Sequence, residues 1–310
     1  MRGSMKSVIK LAVMVLALVS VANGADAAVE CVLTRVASLP MAEDHEGAPT
    51  VQVVIGGRTL TMLVNTGDAL SILTEPAARS LGLTPQSFNF RGSNNYGGQT
   101  IDRYVVAHDM QIGALKSDSA DFAFMPAGRM SENLDGAISS DILRHYDVEF
   151  DFANSTLNLY SPDHCPGQFS HWTDGEYAAV VFQLDRLGRI VIPVQLNGRE
   201  VSAILHTGYL RSVMPFDEAR VKLGLDEGDP KLSLLSGDSN GVRRYAYQFK
   251  TMTFQGIIVN NANVELVDYR DPVLFYWDRD LILGLGVLRS LHLYIAYREH
   301  VMYATPATAH

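Results

Sequence analysis

The chain has 310 residues, a length that suits about two domains. Hydrophobic residues make up 47% and charged residues 19%, ordinary globular proportions that argue against a disordered or fibrous chain. The formal net charge is −9, and an acidic surface repels phosphate backbones and anionic lipid, which speaks against nucleic acid as a partner.

The N-terminus reads as a secretory leader over residues 1–27. Arg2, Lys6 and Lys10 give a basic start, Leu11 to Ala22 is apolar or small apart from Ser20, and Ala25-Asp26-Ala27 places small residues at a cleavage site. The alternative is an uncleaved anchor, but the run falls short of the roughly 20 residues a bilayer needs. Met5 offers a second start. No later segment is long and apolar enough to span, so the mature chain is expected to be exported, periplasmic or secreted, with no membrane span. Removal of three basic residues and Asp26 from 25 Lys+Arg and 34 Asp+Glu leaves the mature chain more acidic still.

Cys31 and Cys165 are its two cysteines. In an oxidising compartment such a pair reads as one disulfide, with two buried free thiols as the alternative. His164, Cys165 and His171 supply three of the four ligands that a zinc site usually clusters, so no metal is expected.

The chain repeats itself. Val51–Gly67 aligns with Ile192–Gly208, Ser71 with Ser212, and Ala78-Arg79 with Ala219-Arg220. After one inserted residue Leu81-Gly82-Leu83 aligns with Leu223-Gly224-Leu225, and Arg103-Tyr104 returns to the first register at Arg244-Tyr245. Each copy opens with alternating apolar residues, Val51, Val53 and Ile55 in the first, then a turn dipeptide, Gly56-Gly57 or Asn197-Gly198. The return strands Leu60 to Val64 and Val201 to Leu205 are apolar on both faces, and so buried on both. Short helices are expected over Pro76 to Leu81 and Asp217 to Leu223, stopped by Gly82 and Gly224. The polar, glycine-rich runs Gly92–Gly98 and Ser236–Gly241 read as exposed hairpin tips. A helix and a strand close each copy, over Asp141–Phe152 and Gly286–Tyr297. The organisation is leader 1–27, first repeat 28–160, a Pro/Gly-rich linker 161–177 and second repeat 178–310.

Leu63-Val64-Asn65-Thr66-Gly67-Asp68-Ala69-Leu70-Ser71 and Ile204-Leu205-His206-Thr207-Gly208-Tyr209-Leu210-Arg211-Ser212 resemble the apolar-apolar-Asp-Thr-Gly-Ala signature of retropepsin-like aspartic peptidases. Leu281-Ile282-Leu283-Gly284 resembles the closing motif; Ala137-Ile138-Ser139 is its weaker counterpart. Both catalytic aspartates are replaced, by Asn65 and His206. The resemblance, to the exported bacterial two-repeat form, implies an all-β fold of two pseudo-symmetric barrel halves with short helices. It also implies a peptide cleft between Thr-Gly loops, covered by the glycine-rich hairpins. Thr66 and Thr207 would brace the loops through crossed hydroxyl hydrogen bonds, and Gly67 and Gly208 would serve their turns. Asp68 and Tyr209 replace small residues on the cleft floor and, with Tyr96, Gly97 and Asn240, are the candidate ligand contacts. Tyr276-Trp277 reads as packing, and His292 and His300 as core or surface residues.

An aspartic peptidase needs two carboxylates about 3 Å apart that share one proton. Asn65 has no basic form, whereas an imidazole can act as a base. Three functions compete: a pseudopeptidase that binds a peptide or protein ligand, a residual hydrolase using His206 as base with Asp68 assisting, and a structural envelope subunit. If His206 is buried in the cleft, its titration makes ligand binding pH-dependent between about pH 5 and 8. No cofactor is called for, and duplication supplies both halves in one chain, which favours a monomer.

Overall fold

The computed structural model describes residues 32–88, 94–96, 99–167, 169, 172–237, 243–268 and 279–308. The chain is mostly β, 51% strand and 9% helix, with two closed six-strand barrels and short helices. The expected fold class is thus the one adopted. Among the described residues no helix is long and apolar enough to cross a membrane.

Each barrel starts from the hairpin read in the sequence. Strands Pro49–Ile55 and Arg58–Val64 pair antiparallel about Gly56-Gly57, and Ile190–Leu196 pairs with Arg199–Leu205 about Asn197-Gly198. All four turn residues have positive φ, from 48° to 80°, as a two-residue turn needs to match the twist of its strands. Both return strands end in three consecutive buried residues. The reason is a parallel neighbour: Gly136–Ile138 runs beside Arg58–Val64, and Leu281–Leu283 beside Arg199–Leu205. Pairing of Val54 with Gln111 closes the first barrel, and of Gln195 with Thr253 the second.

The helices differ between halves. Glu75–Ser80 is α-helical, with Thr74 accepting from the Ala77 amide at its start. In the second half Phe216–Glu218 is α-helical and Ala219–Leu223 continues as a π-helix. The π turn absorbs the residue inserted between the repeats, because its wider ring holds one more residue per turn. Gly82 and Gly224 end these segments at φ 67° and 72°, where a side chain would be strained.

At the first glycine-rich run Asn94–Tyr96 pairs antiparallel with Gln99–Ile101 as a separate two-stranded sheet. In the second half Ser233–Gly237 is instead an edge strand of the barrel sheet, paired with Arg243–Phe254. Gly97 and Asn240 lie outside the described residues, as do the leader, Cys31 and with it the Cys31–Cys165 pairing, His171, and Tyr276-Trp277.

One six-stranded sheet joins the halves. Its central pair is Asp147–Asp151 against Leu291–Ala296, one strand from each repeat, with Val148 opposite Ile295. Two carboxylates are buried on this sheet, and buried charge must be paired. Glu149 accepts from Asn158 and Tyr160, each at 2.8 Å, and meets His292 Nε2 at 2.7 Å. Asp147 accepts from Tyr294 at 3.1 Å and meets His164 Nε2 at 2.5 Å. The segment between the repeats lies over this polar row: Trp172 stacks on His292 at 4.5 Å and Phe169 on Tyr303 at 3.5 Å. His292 is therefore a satisfied core residue; His300 is exposed and stacks on Phe182.

Candidate functional site

Asn65 and His206 each follow the last residue of a buried return strand. The Asn65 amide donates to the Ile138 carbonyl at 2.9 Å and the His206 amide to the Leu283 carbonyl at 3.0 Å. Each thus extends the parallel ladder by one bond, which fixes where the loop leaves the barrel. Ser139 and Gly284 come next along the parallel strands. Their amides donate to Ser71 Oγ at 2.9 Å and Ser212 Oγ at 3.2 Å. Ser139 therefore performs the backbone task of Gly284, and the weaker closing motif still closes. A glycine is required only at Gly284, where a Cβ would collide with the Arg211 backbone.

The two loops meet through their threonines. Thr66 Oγ1 donates to the Leu205 carbonyl at 2.9 Å and accepts from the Thr207 amide at 3.1 Å. Thr207 Oγ1 donates to the Val64 carbonyl at 2.7 Å and accepts from the Thr66 amide at 3.1 Å. Four buried backbone groups that the turns would leave unpaired are satisfied by two hydroxyls from the opposite half. Ser140 Oγ adds a bond to the Thr66 carbonyl at 2.9 Å.

Around this brace the substituted residues pack crosswise. A Cβ on Gly67 would fall inside the His206 imidazole, and one on Gly208 would lie 2.7 Å from Asn65 Cγ. The glycines thus make room for the opposite half's side chain, which is how an imidazole fits where an aspartate is expected. Asn65 is buried and committed within its own loop: its Oδ1 accepts from the Gly67 amide at 2.9 Å and its Nδ2 donates to Asp68 Oδ2 at 2.6 Å. Tyr209, at the position equivalent to Asp68, sets its ring 6.0 Å from that of His206. The equivalence extends to the backbone, since the Asp68 carbonyl accepts from Ser140 and the Tyr209 carbonyl from Leu285.

The electrostatics reverse one expectation. Burial pushes His206 down to about 3, with the Arg189 charge acting in the same direction. The imidazole stays neutral between pH 5 and 8, so the expected His206 titration in that window is overturned. The group that titrates there is Asp68. Desolvation raises it to about 6, against the opposing pull of the Asn65 hydrogen bond and Arg189. Asp68 nevertheless retains some exposure to solvent.

Sequence reasoning missed three contributors. Arg189 is 5% exposed, paired with Asp185 at 2.6 Å, and acts on both Asp68 and His206. Its signal was a buried cation opening the second repeat, where the first has Ala48. Asp141 accepts from Ser71 Oγ at 2.6 Å and fixes the first loop's exit. Ser140 holds both Thr66 and Asp68 through short-range geometry that no pattern announced. The structure thus gathers Asn65, Thr66, Gly67, Asp68, His206, Thr207, Gly208 and Tyr209 at one interface. Of Tyr96 only the backbone is described, in the separate two-stranded sheet. Among the described residues no group of three or more His, Cys, Asp or Glu is placed to hold a metal ion.

Residues 51–141 match the family described as Aspartyl protease, a span that contains the Asn65 loop and ends on Asp141. No curated protein matches the chain. The first barrel is thus similar to the aspartyl protease family over residues 51–141, and the second closed barrel suggests a two-lobed form.

Proposed function

We propose that this protein is a non-catalytic member of the aspartic-peptidase fold, exported from the cell, that binds a peptide or protein segment between its two loops. The observation that carries the reading is the pairing of an intact interface with a disarmed one. The crossed threonine bonds are all present, while the two positions that should share a proton hold a buried amide and a neutral imidazole. Proton transfer is most efficient when the group's pKa lies near the working pH. An imidazole held down to about 3 is a weak base, which weighs against the residual-hydrolase reading. The Asn65 amide is also occupied by Gly67 and Asp68. A purely structural envelope subunit would not need Asp68 and Tyr209 partly open to solvent beside the loops.

The test is cleavage of a diverse peptide library from about pH 3 to pH 8, read by mass spectrometry, beside a variant carrying Asn65→Asp and His206→Asp. Cleavage by the restored variant alone is the expected result. Cleavage by the unmodified chain, abolished by His206→Ala, would replace this reading with a histidine-dependent hydrolase.

A further inference from the structure

Resting on the reading of a peptide-binding cleft, we infer that the cleft is chemically asymmetric: Asp68 takes a basic side chain, lysine or arginine, on the first-half side, and Tyr209 takes an apolar or aromatic one on the second-half side.

The duplication makes the argument. A cleft built from two copies of one loop begins with the same chemistry on both sides. Here the equivalent positions carry a carboxylate and a phenol ring, on carbonyls held in the same way by Ser140 and Leu285. A ligand that fits must carry complementary groups in a fixed order, so the substitutions impose one binding direction on a pseudo-symmetric site.

Asp68 suits a cation for three reasons. Its Oδ2 is held by Asn65 at 2.6 Å, which fixes the carboxyl plane; no hydrogen bond engages Oδ1 among the described residues. It keeps some solvent exposure while lying in a largely desolvated place, where a charge-assisted hydrogen bond gains strength. The charged groups around it favour an incoming cation on balance. Among the described residues Arg189 is the one cation whose charge acts on it, and Arg189 is ion-paired with Asp185 at 2.6 Å. His206 contributes no charge near neutral pH.

The opposite side is aromatic. Tyr209 packs against Val213, Val267 and Ile282 and tilts over His206. Its ring offers an apolar surface that an aliphatic or aromatic side chain can cover.

The experiment uses the full chain and a randomised octapeptide library, with enrichment read by mass spectrometry at about pH 7.5 and about pH 5. Labelled peptides of the enriched sequence, differing only in lysine, norleucine or glutamate at one position, are then compared by fluorescence anisotropy. The lysine peptide is expected to bind about tenfold tighter than the norleucine peptide at the higher pH and to lose most of that margin at the lower. The glutamate peptide should be weakest. Asp68→Asn should bring lysine to the norleucine level. Equal binding of lysine and norleucine peptides at the higher pH overturns this inference alone. Failure to bind any library peptide overturns the peptide-binding reading itself. If Asp68→Asn does not fold, the pH comparison on the unmodified chain decides the question.

Discussion

His206 and Gly67 come from opposite halves, and the imidazole of the first occupies the place where a side chain of the second would begin. Asn65 stands in the mirrored relation to Gly208. The substituted site is therefore packed as a unit, each new side chain seated on the other loop's glycine.

Gly67→Ala should destabilise the protein by about 1–3 kcal/mol, the usual penalty of overpacking. Most of the loss should vanish in a His206→Ala background, because the three atoms nearest the added Cβ all belong to the imidazole. Urea unfolding of the two single variants and the double variant measures the coupling. Additive losses would mean the glycine is needed for its backbone instead.

The crossed threonines predict a second coupling. Thr66→Ala strands the Leu205 carbonyl and the Thr207 amide, and Thr207→Ala strands the Val64 carbonyl and the Thr66 amide. Each should cost on the order of 1–3 kcal/mol, since buried groups lose partners that water cannot replace. Thr66→Ser keeps the hydroxyl and should retain most of the stability. Chemical denaturation checks the order Thr66→Ala well below Thr66→Ser.

Asp68 predicts how stability changes with pH. Its folded pKa, about 6, lies above the ordinary value of 3.8, so the folded state holds the proton more tightly than the unfolded state. The carboxylate is therefore unfavourable at neutral pH, and the penalty fades as pH falls from about 6 to about 4. Asp68→Asn should stabilise the protein at pH 7, by something on the order of 2 kcal/mol. The gain should disappear near pH 4. Melting curves across that range measure it.

His206 has the opposite sign. Its folded pKa, about 3, lies below the ordinary 6.5, so the unfolded state binds the proton first. Stability attributable to the neutral ring is full above about pH 6.5 and is lost as pH falls toward 3. Its ring proton resonances should not shift between pH 5 and 8, and His206→Gln should blunt acid unfolding. A resonance titrating near pH 6.5 would contradict the burial argument.

The buried pair Glu149–His292 ties the two repeats together at 2.7 Å within the shared sheet. Removing His292 takes from the buried Glu149 the hydrogen bond to its Oε1 and leaves it the neutral donors Asn158 and Tyr160, so His292→Ala should cost about 3 kcal/mol. Limited proteolysis should then cut near the junction of the repeats faster than in the unmodified chain.

The amino-acid sequence by itself determined the duplication and the hairpin that opens each half, while the two barrels were what the family resemblance implied. The turn dipeptides, the apolar return strands and the constant register between repeats are local or periodic signals, and each corresponds to an observed element. It also named the two substituted positions, because they sit in a motif. Even the inserted residue was legible; that it becomes a π turn was not, since the choice depends on packing around Ala219. Only the tertiary structure decided the chemistry of the site. Whether an imidazole is a base or an inert neutral ring depends on how much water reaches it, and that is set by Gly67 and by Arg189 packed from elsewhere in the fold. The same burial moved the ionisation expected of His206 to Asp68, three residues beyond Asn65. A pattern fixes which residues are neighbours along the chain; desolvation depends on the whole fold closing around them.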